Sequence, residues 1–430
     1  MVTANSTWKP AGIDRRVQQP APAPRLMMYA HDTYGLGHLR RSLAIAGHLS
    51  RAIPSLSTLL VTGSPVAHAF ELPPRTDYVK LPSVVKTDDE QYRARDIDLS
   101  PESIISLRAS LIENVALHYA PDVILVDHSP IGMKGEALPA LKAVRDAFPQ
   151  TRLVLGLRDV LDEPAKVRRQ WQMQGVYDQI EELYDRILIY GQPDIFNPVE
   201  AYAFPATLAA RTQFTGYIQR EEPVHLAPEL RAELGLDDGP FVLVTAGGGG
   251  DGVVLEETSL EAIELLGYQE KLQAVVVTGP LMDSAQRTRL EERARALSPF
   301  VHLIPFHHDL PGLMRAASVV VSMGGYNTLC EIVSAGSPAI VVPRAHPRLE
   351  QHIRAEAFAA RGLVQMLPAA ELSPSRLAVT IWRTLHNLPG SSPVSSGWEG
   401  NGLARISREI ASLLPGHGHG VTRSLLSAAS

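Results

Sequence analysis

The chain has 430 residues, 45% of them hydrophobic and 20% charged, which suits a globular protein of two or three domains. A formal net charge of −6 gives no general attraction to nucleic acid or anionic lipid, so any anion must be held by a local site. The single cysteine, Cys330, excludes an intrachain disulfide and fits a reducing cytoplasm, and no apolar run reaches the ~18 residues that cross a bilayer.

Residues 1–24 carry Pro10, Pro20, Pro22 and Pro24 and read as a disordered lead, without the apolar core of a signal peptide. Arg25–Ala30 is the first strand, followed by a loop, His31–His38. Leu39, Leu43, Ala46, Leu49 and Ile53 recur at helical spacing and stop before Pro54. Ser57–Thr62 and Tyr78–Leu81 are strands. Ser83–Ser100 is charged and aperiodic and reads as a mobile loop. Within it Asp96-Ile97-Asp98 matches a DxD pair able to hold a divalent ion, but no strand leads into it, so a chance match in an acidic loop outweighs a metal site.

Pro101–Tyr119 is helical, and Asp122–Val126 is a strand running into Asp127-His128-Ser129. A helix over Gly132–Phe148, a strand over Arg152–Leu157, a long helix over Lys166–Tyr184 and a strand over Arg186–Tyr190 complete a regular βα alternation. That alternation predicts a mostly parallel sheet with helices on both faces. Phe214–Tyr217 ends this half, and Glu221–Gly239, rich in Pro, Asp and Gly, reads as a linker containing a short helix. The pattern then restarts. Strands are expected at Phe241–Thr245, Gln273–Thr278, Val301–Ile304, Val319–Val321 and Ala339–Val342, and helices at 253–266, 284–297, 309–316, 349–361, 373–388 and 404–414.

Three glycine-bearing turns carry the chemistry. Gly324-Gly325 follows a buried strand and opens a helix that stops at Gly336, so backbone N–H groups and a helix dipole face whatever anion sits there. Glu331, six residues in, suits a ribose diol, because one carboxylate accepts from two hydroxyls; an ordinary βα turn with a surface Glu fits the same residues. Gly247, Gly249 and Gly252 satisfy GxGxxG, yet the next strand ends Val277-Thr278-Gly279-Pro280 without the acid of a dinucleotide site. A diphosphate site at the same helix start survives that test, since it needs only backbone donors. The first loop, Gly35-Leu36-Gly37-His38, lacks a third glycine and places His38 at a helix start, where a neutral imidazole can act as general base. Arg40 and Arg41 lie beside it as anion-binding groups, and a capping or packing role for His38 is the plainer alternative.

Asp127 and His128 leave the carboxyl end of a strand, where α/β sheets place ligands; they act on an acceptor, orient His38, or only cap the next helix. His307, His308 and Asp309 match a metal cluster by type but not by spacing, and Asp309 reads better as an N-cap.

With these pieces placed, the chain resembles the GT-B glycosyltransferases, most closely the MurG-like, family 28 type and bacterial glycosyltransferases related to it. Ser322–Gly336 is similar to the donor motif, with Gly325, Thr328 and Glu331 at its spacing and Pro338 following. Pro343-Arg344 and Arg348-x-Glu350-Gln351 resemble the sugar-contacting segment, Gly247–Gly250 the loop facing the diphosphate, and Phe306 the position whose backbone meets the nucleobase. Gly35, Gly37 and His38 resemble the acceptor-side loop, although Leu39-Arg40-Arg41 departs from it. The likeness spans residues 25–370 in order.

The resemblance implies an α/β chain of GT-B fold, two Rossmann-like domains facing across a cleft. The organisation it implies is a lead over 1–24, an acceptor-side domain over 25–218 and a linker over 219–239. A nucleotide-sugar domain over 240–390, a loop and helix over 391–414 and a tail over 415–430 follow. The donor is a nucleoside-diphosphate sugar, expected to be a UDP-sugar, and it serves as co-substrate with no cofactor and no metal. Gly248, Gly249, Ser322, Gly324, Gly325 and Thr328 would meet the diphosphate end of the donor, and Glu331 the ribose. Phe306 would meet the base, and Arg344, Glu350 and Gln351 the sugar. His38 would deprotonate the acceptor hydroxyl for displacement with inversion, supported by Asp127; Gly35, Gly37, Arg40 and His128 form the acceptor side. The acceptor is a lipid, a glycan or a small metabolite, nucleic acid is not a partner, and peripheral contact of a cytoplasmic protein with the inner membrane stays open. A UDP-sugar 2-epimerase of the same architecture and a non-catalytic sugar-nucleotide binding protein remain as alternatives.

Overall fold

The computed structural model describes residues 23–31, 37–86, 92–219, 225–270, 272–386 and 397–415. The lead up to residue 22, Gly35, part of the linker and the tail from 416 lie outside the described residues.

The first half is built from β1 (Arg25–Ala30), α1 (Gly37–Ala52), β2 (Ser57–Thr62), β3 (Thr76–Lys80), a hairpin of β4 (Val84–Lys86) and β5 (Tyr92–Ala94), and α2 (Pro101–Tyr119). It continues through β6 (Val123–Asp127), α3 (Leu138–Ala147), β7 (Arg152–Arg158), α4 (Pro164–Met173), α5 (Val176–Leu183) and β8 (Arg186–Tyr190). Two short helices, α6 (Pro198–Ala201) and α7 (Ala206–Ala209), lead to β9 (Thr212–Phe214). Seven parallel strands form one sheet in the order β3-β2-β1-β6-β7-β8-β9. Strands β6 and β8 are apolar almost throughout because helices cover both faces of the sheet.

The second half runs α8 (Ala227–Leu234), β10 (Phe241–Thr245), α9 (Val253–Glu270), β11 (Gln273–Val277), α10 (Ser284–Ala296), β12 (Val301–Ile304) and α11 (Leu310–Ala316). Then come β13 (Val319–Ser322), α12 (Tyr326–Ala335), β14 (Ala339–Val341), α13 (Glu350–Ala360), β15 (Gln365–Met366), α14 (Pro374–His386) and α15 (Gly402–Leu413). Its six strands are parallel in the order β12-β11-β10-β13-β14-β15.

Both sheets reverse strand order once, between β1 and β6 and between β10 and β13. At such a point neighbouring loops depart in opposite directions and leave a crevice at the carboxyl ends, which is where open α/β sheets bind ligands. The last helix, α15, leaves the second half and packs on α1 of the first. Trp398 stacks on Tyr217 with centroids 4.3 Å apart, and Gly402 donates its N–H to the Tyr217 carbonyl at 3.0 Å, so the chain end ties the two lobes together.

Two expectations change. The segment expected as a mobile loop over 83–100 contains the β4–β5 hairpin, since Val84 and Ala94 are buried against Ile104 and Met133. The long helix over 166–184 is two helices, because Gly175 adopts φ +62 and turns the chain between α4 and α5. No helix among the described residues is long and apolar enough to cross a membrane.

Candidate active site

At the first strand-order reversal, His31 leaves β1 while Asp127 ends β6 and His128 follows it. Helix α1 starts at Gly37, so His38 stands in its first turn with Nδ1 2.5 Å from Asp127 Oδ2. One turn on, Arg41 donates from Nε to Oδ1 at 2.9 Å and from Nη2 to Oδ2 at 2.6 Å. Burial alone would raise the Asp127 pKa; the Arg41 guanidinium, helped by His38, outweighs it and holds the carboxyl well below the usual range. An ionised Asp127 makes Nδ1 the protonated nitrogen of a neutral His38 and leaves Nε2 with the free lone pair, the tautomer a general base needs. Arg41 Nη2 comes within 3.0 Å of Nδ1 because both converge on Oδ2. The His31 and His128 rings lie 4.5 and 5.4 Å from that of His38. Burial first, then neighbouring positive charge, pushes both far below the ordinary histidine value, so both are neutral at pH 7.

At the second reversal the elements are backbone rather than side chain. Gly247 and Gly249 adopt φ +77 and +90, and a Cβ on Gly249 would collide with the Thr278 carbonyl. The 247–250 turn therefore crosses the end of β11 backbone to backbone, a close approach that glycine permits. Helix α12 begins with Gly325 as N-cap and no side-chain cap, so its first N–H groups stay available to a ligand. A cavity of about 200 Å³ lies between this turn and this helix start; Gly247–Gly250, Gly325 and Thr328 line it from one lobe, Gly37, His38 and Arg40 from the other. Arg41, Arg158 and Arg344 also line it, paired with Asp127, Glu350 and Asp251 respectively, and Asp251 lies in the same lining. Asn327 Nδ2 donates to the Gly37 carbonyl at 3.0 Å, so the two helix starts face each other directly.

Residues 241–408 match the family model described as the glycosyltransferase family 28 C-terminal domain. The match lies wholly in the second lobe and takes in both glycine-bearing turns. An uncharacterized glycosyltransferase of Methanopyrus kandleri is 28% identical over 56% of this chain and 64% of its own length. The UDP-N-acetylglucosamine–N-acetylmuramyl-(pentapeptide) pyrophosphoryl-undecaprenol N-acetylglucosamine transferase of Nitrosococcus oceani is 34% identical over 42% of this chain and 50% of its own length. The chain thus aligns with between half and two thirds of these curated relatives. Among solved structures, Acinetobacter baumannii MurG is similar with TM-score 0.56 at 14% identity, covering 90% of this chain and 99% of that one. A putative UDP-N-acetylglucosamine 2-epimerase from Listeria monocytogenes is similar with TM-score 0.59 at 16% identity, covering 90% and 95%. The fold is GT-B.

Within the matched region the expected donor residues divide. Gly248, Gly249, Gly325, Thr328, Arg344 and Gln351 line the cleft. Ser322 does not: its hydroxyl is buried and donates to the Thr245 carbonyl at 2.7 Å, joining β13 to β10. Gly324 is not among the residues lining the cleft either, and a Cβ there would strike the Gln351 backbone, so the missing side chain lets α13 approach. Glu331 lies one helical turn beyond Thr328, on the same side of α12, and is buried rather than part of the cleft wall. Glu350, expected to hold sugar hydroxyls, is ion-paired with Arg158 of the first lobe at 2.8 Å and with Arg344 at 3.4 Å. Burial would raise its pKa, but Arg158 and the other arginines push it down to about 2. Phe306 is 46% exposed beside the rim, where the Arg40 guanidinium sits 5.9 Å from its ring centroid.

On the other side, Gly37 and Arg40 line the cleft and His128 lines a second cavity behind it, whereas Gly35 lies outside the described residues. Asp96 and Asp98 sit on an exposed bend and line neither cavity. Sequence reading passed over Arg158, Asn327 and Arg354. Arg354 is buried, pairs with Asp159 at 2.9 Å across the lobes and donates to the Gly324 carbonyl at 3.1 Å. Its only sequence signal was one helical turn of spacing from Glu350. Asp309 caps α11 through the Gly312 N–H, as expected. The structure adds Glu233 to His307 and His308 as a metal-type group. However, His307 Nδ1 accepts the Asp309 N–H at 3.1 Å, which places the ring hydrogen on Nε2, facing Glu233, and favours a donor over a metal ligand.

Proposed function

We propose that this chain is an inverting glycosyltransferase that moves a hexosyl or N-acetylhexosaminyl unit from a UDP-sugar to an acceptor hydroxyl. One observation carries the reading: the His38–Asp127–Arg41 group and two amide-lined turns open into one cleft from opposite lobes. The diphosphate would lie between the 247–250 turn and the α12 start. Its charge grows as the glycosidic bond breaks, so backbone donors and the helix dipole stabilise the transition state more than the ground state. His38 Nε2 takes the acceptor proton as the hydroxyl oxygen attacks the anomeric carbon from the face opposite the leaving UDP. Asp127 holds the ring and stabilises the imidazolium that forms. The backbone donors of the two turns and the α12 dipole would supply the charge compensation that a divalent ion otherwise supplies, so the reaction is proposed to run without metal. The motif spacing alone assigns Glu331 to the ribose; its carboxylate is buried and outside the cleft lining, so ribose binding there requires α12 to open toward the cleft.

The test is a thermal-shift screen of nucleotide sugars followed by transfer assays with and without chelator. A UDP-sugar well above its Kd should raise stability by about 3 kcal/mol. Transfer should survive chelator and be lost in His38→Ala. The likeness to a 2-epimerase supports a second reading. Donor incubated alone and followed by NMR separates the two, since an epimerase turns it over without acceptor.

A further inference from the structure

Behind His31 and His128 a second cavity of about 470 Å³ opens in the first lobe, within the range that holds a small molecule. We propose that it takes the acceptor, and that this acceptor is a soluble anion, a carboxylate or phosphate, on a ring-sized apolar body. The inference rests on the transferase reading and names its acceptor class.

Three features carry it. The first is a rigid wall. The loop after β6 is fixed through Glu136, which is buried and accepts from Arg108 Nε and Nη2 at 2.6 and 2.7 Å and from the Tyr29 hydroxyl at 2.6 Å. Along that loop His128 and Lys134 adopt φ +68 and +51. Non-glycine residues in that region are strained and persist where the surroundings enforce them, a mark of binding sites.

The second is charge. Asp162 is the carboxylate in the lining, and it is already occupied by Lys166 at 2.9 Å and by the N–H groups of Glu163 and Leu349 at 2.9 and 3.0 Å. Lys134 and Arg348, also in the lining, have no carboxylate partner among the described residues. Among the described residues the lining is therefore net positive, and its one carboxylate is already engaged rather than free to accept from the hydroxyls of a neutral polyol.

The third is polarity along its length. Ile131, Met133, Val167 and Trp171 give it apolar walls. At its inner end Nδ1 of both His31 and His128 are buried without hydrogen-bond partners among the described residues, beside His38. An acceptor hydroxyl at that end would satisfy these nitrogens and lie next to the proposed base.

The test is isothermal titration of the full chain, without nucleotide, using 4-hydroxybenzoate and 6-hydroxy-2-naphthoate, each beside its uncharged carboxamide. In at least one pair the carboxylate should bind about tenfold more tightly, and its binding should weaken as salt rises. The preference should fall to near unity in the Lys134→Gln/Arg348→Gln double variant, whose fold is checked by circular dichroism. Quenching of tryptophan fluorescence by the carboxylate should disappear in Trp171→Phe. Equal affinity within both pairs, a preference that survives the double variant, or no saturable binding by either pair would overturn the inference. Stronger competition by phosphatidylglycerol vesicles than by free glycerol phosphate would also count against a soluble acceptor. Because no donor is present, the two readings fail separately. Sugar transfer confined to uncharged acceptors breaks this inference alone, whereas anion binding with no turnover on any acceptor breaks the transferase reading and leaves an anion site that is not an acceptor site.

Discussion

The two strand-order reversals share a topology and differ in what they expose. In the first lobe the site is made of side chains: a carboxylate, an arginine and three histidines drawn from 31–41 and 127–128. In the second it is made of backbone: two glycine-bearing turns and an uncapped helix start. A site of interlocked charges depends on each partner, because removing one leaves the other buried and unpaired. A site of backbone donors is insensitive to losing side chains and sensitive to gaining them. Deletions should therefore damage the first lobe, and additions the second.

The largest expected effect follows directly. His38→Ala should lower kcat by about 10²–10⁴-fold while leaving UDP affinity within twofold; a variant that transfers sugar at the parental rate would place the base elsewhere. Arg41→Gln leaves Asp127 buried beside histidines alone and should cost about 3–5 kcal/mol in calorimetric unfolding. Arg41→Lys should recover only part of that, because an ammonium cannot reproduce the two parallel bonds. An unchanged melting temperature in Arg41→Gln would show that Asp127 is not held as described.

Glu256, buried in the first turn of α9, is a side chain of the second lobe whose state depends on burial. Neither of its oxygens has a hydrogen-bond partner among the described residues, and burial pushes its pKa up to about 8 from 4.5. The folded protein keeps this proton where the unfolded chain releases it, so stability should fall as pH rises between about 4.5 and 8. The slope should amount to a few kcal/mol, of the order of one per pH unit. Glu256→Gln should flatten it, and a parental profile in that variant would remove Glu256 as the cause.

Gly249→Ala is the matching addition. It should destabilise the second lobe by about 1–3 kcal/mol and weaken UDP binding, whereas Thr328→Ala, a deletion in the same wall, should leave stability nearly unchanged. If both variants melt alike, the contrast between backbone and side-chain sites fails. The smallest effect concerns the bridge between lobes. A double-mutant cycle on Arg158 and Glu350 should show coupling of roughly 0.5–3 kcal/mol. Its pH dependence has the opposite sign to that of Glu256. With the Glu350 carboxyl held at about 2, its contribution is present above 4.5 and is lost as pH falls.

The backbone half of this picture was largely readable in advance. The 247–250 turn and Gly325 could be placed at helix starts because a β-branched run, a glycine turn and a helical period follow one another within a dozen residues. The side-chain half was readable only as a set of types. His38 and Asp127 stood out as chemistry, but their 2.5 Å contact joins positions 89 apart. The placements that differ from expectation have the same origin. Gly324 and Ser322 belong to the motif by spacing, yet α13 and β10 occupy the space around them. Glu350 is turned toward Arg158, a residue 192 positions away.

The sequence by itself determined the βα alternation, the glycine turns and the helix that each one opens, because torsion preferences, hydrophobic period and helix ends are set by neighbours along the chain. Only the tertiary structure decided which carboxylate holds His38, which glycine lines the cleft and which faces a helix, and that a second cavity lies behind the histidines. Those outcomes depend on distance and burial between segments far apart in the chain, and Coulomb and packing energies act through space.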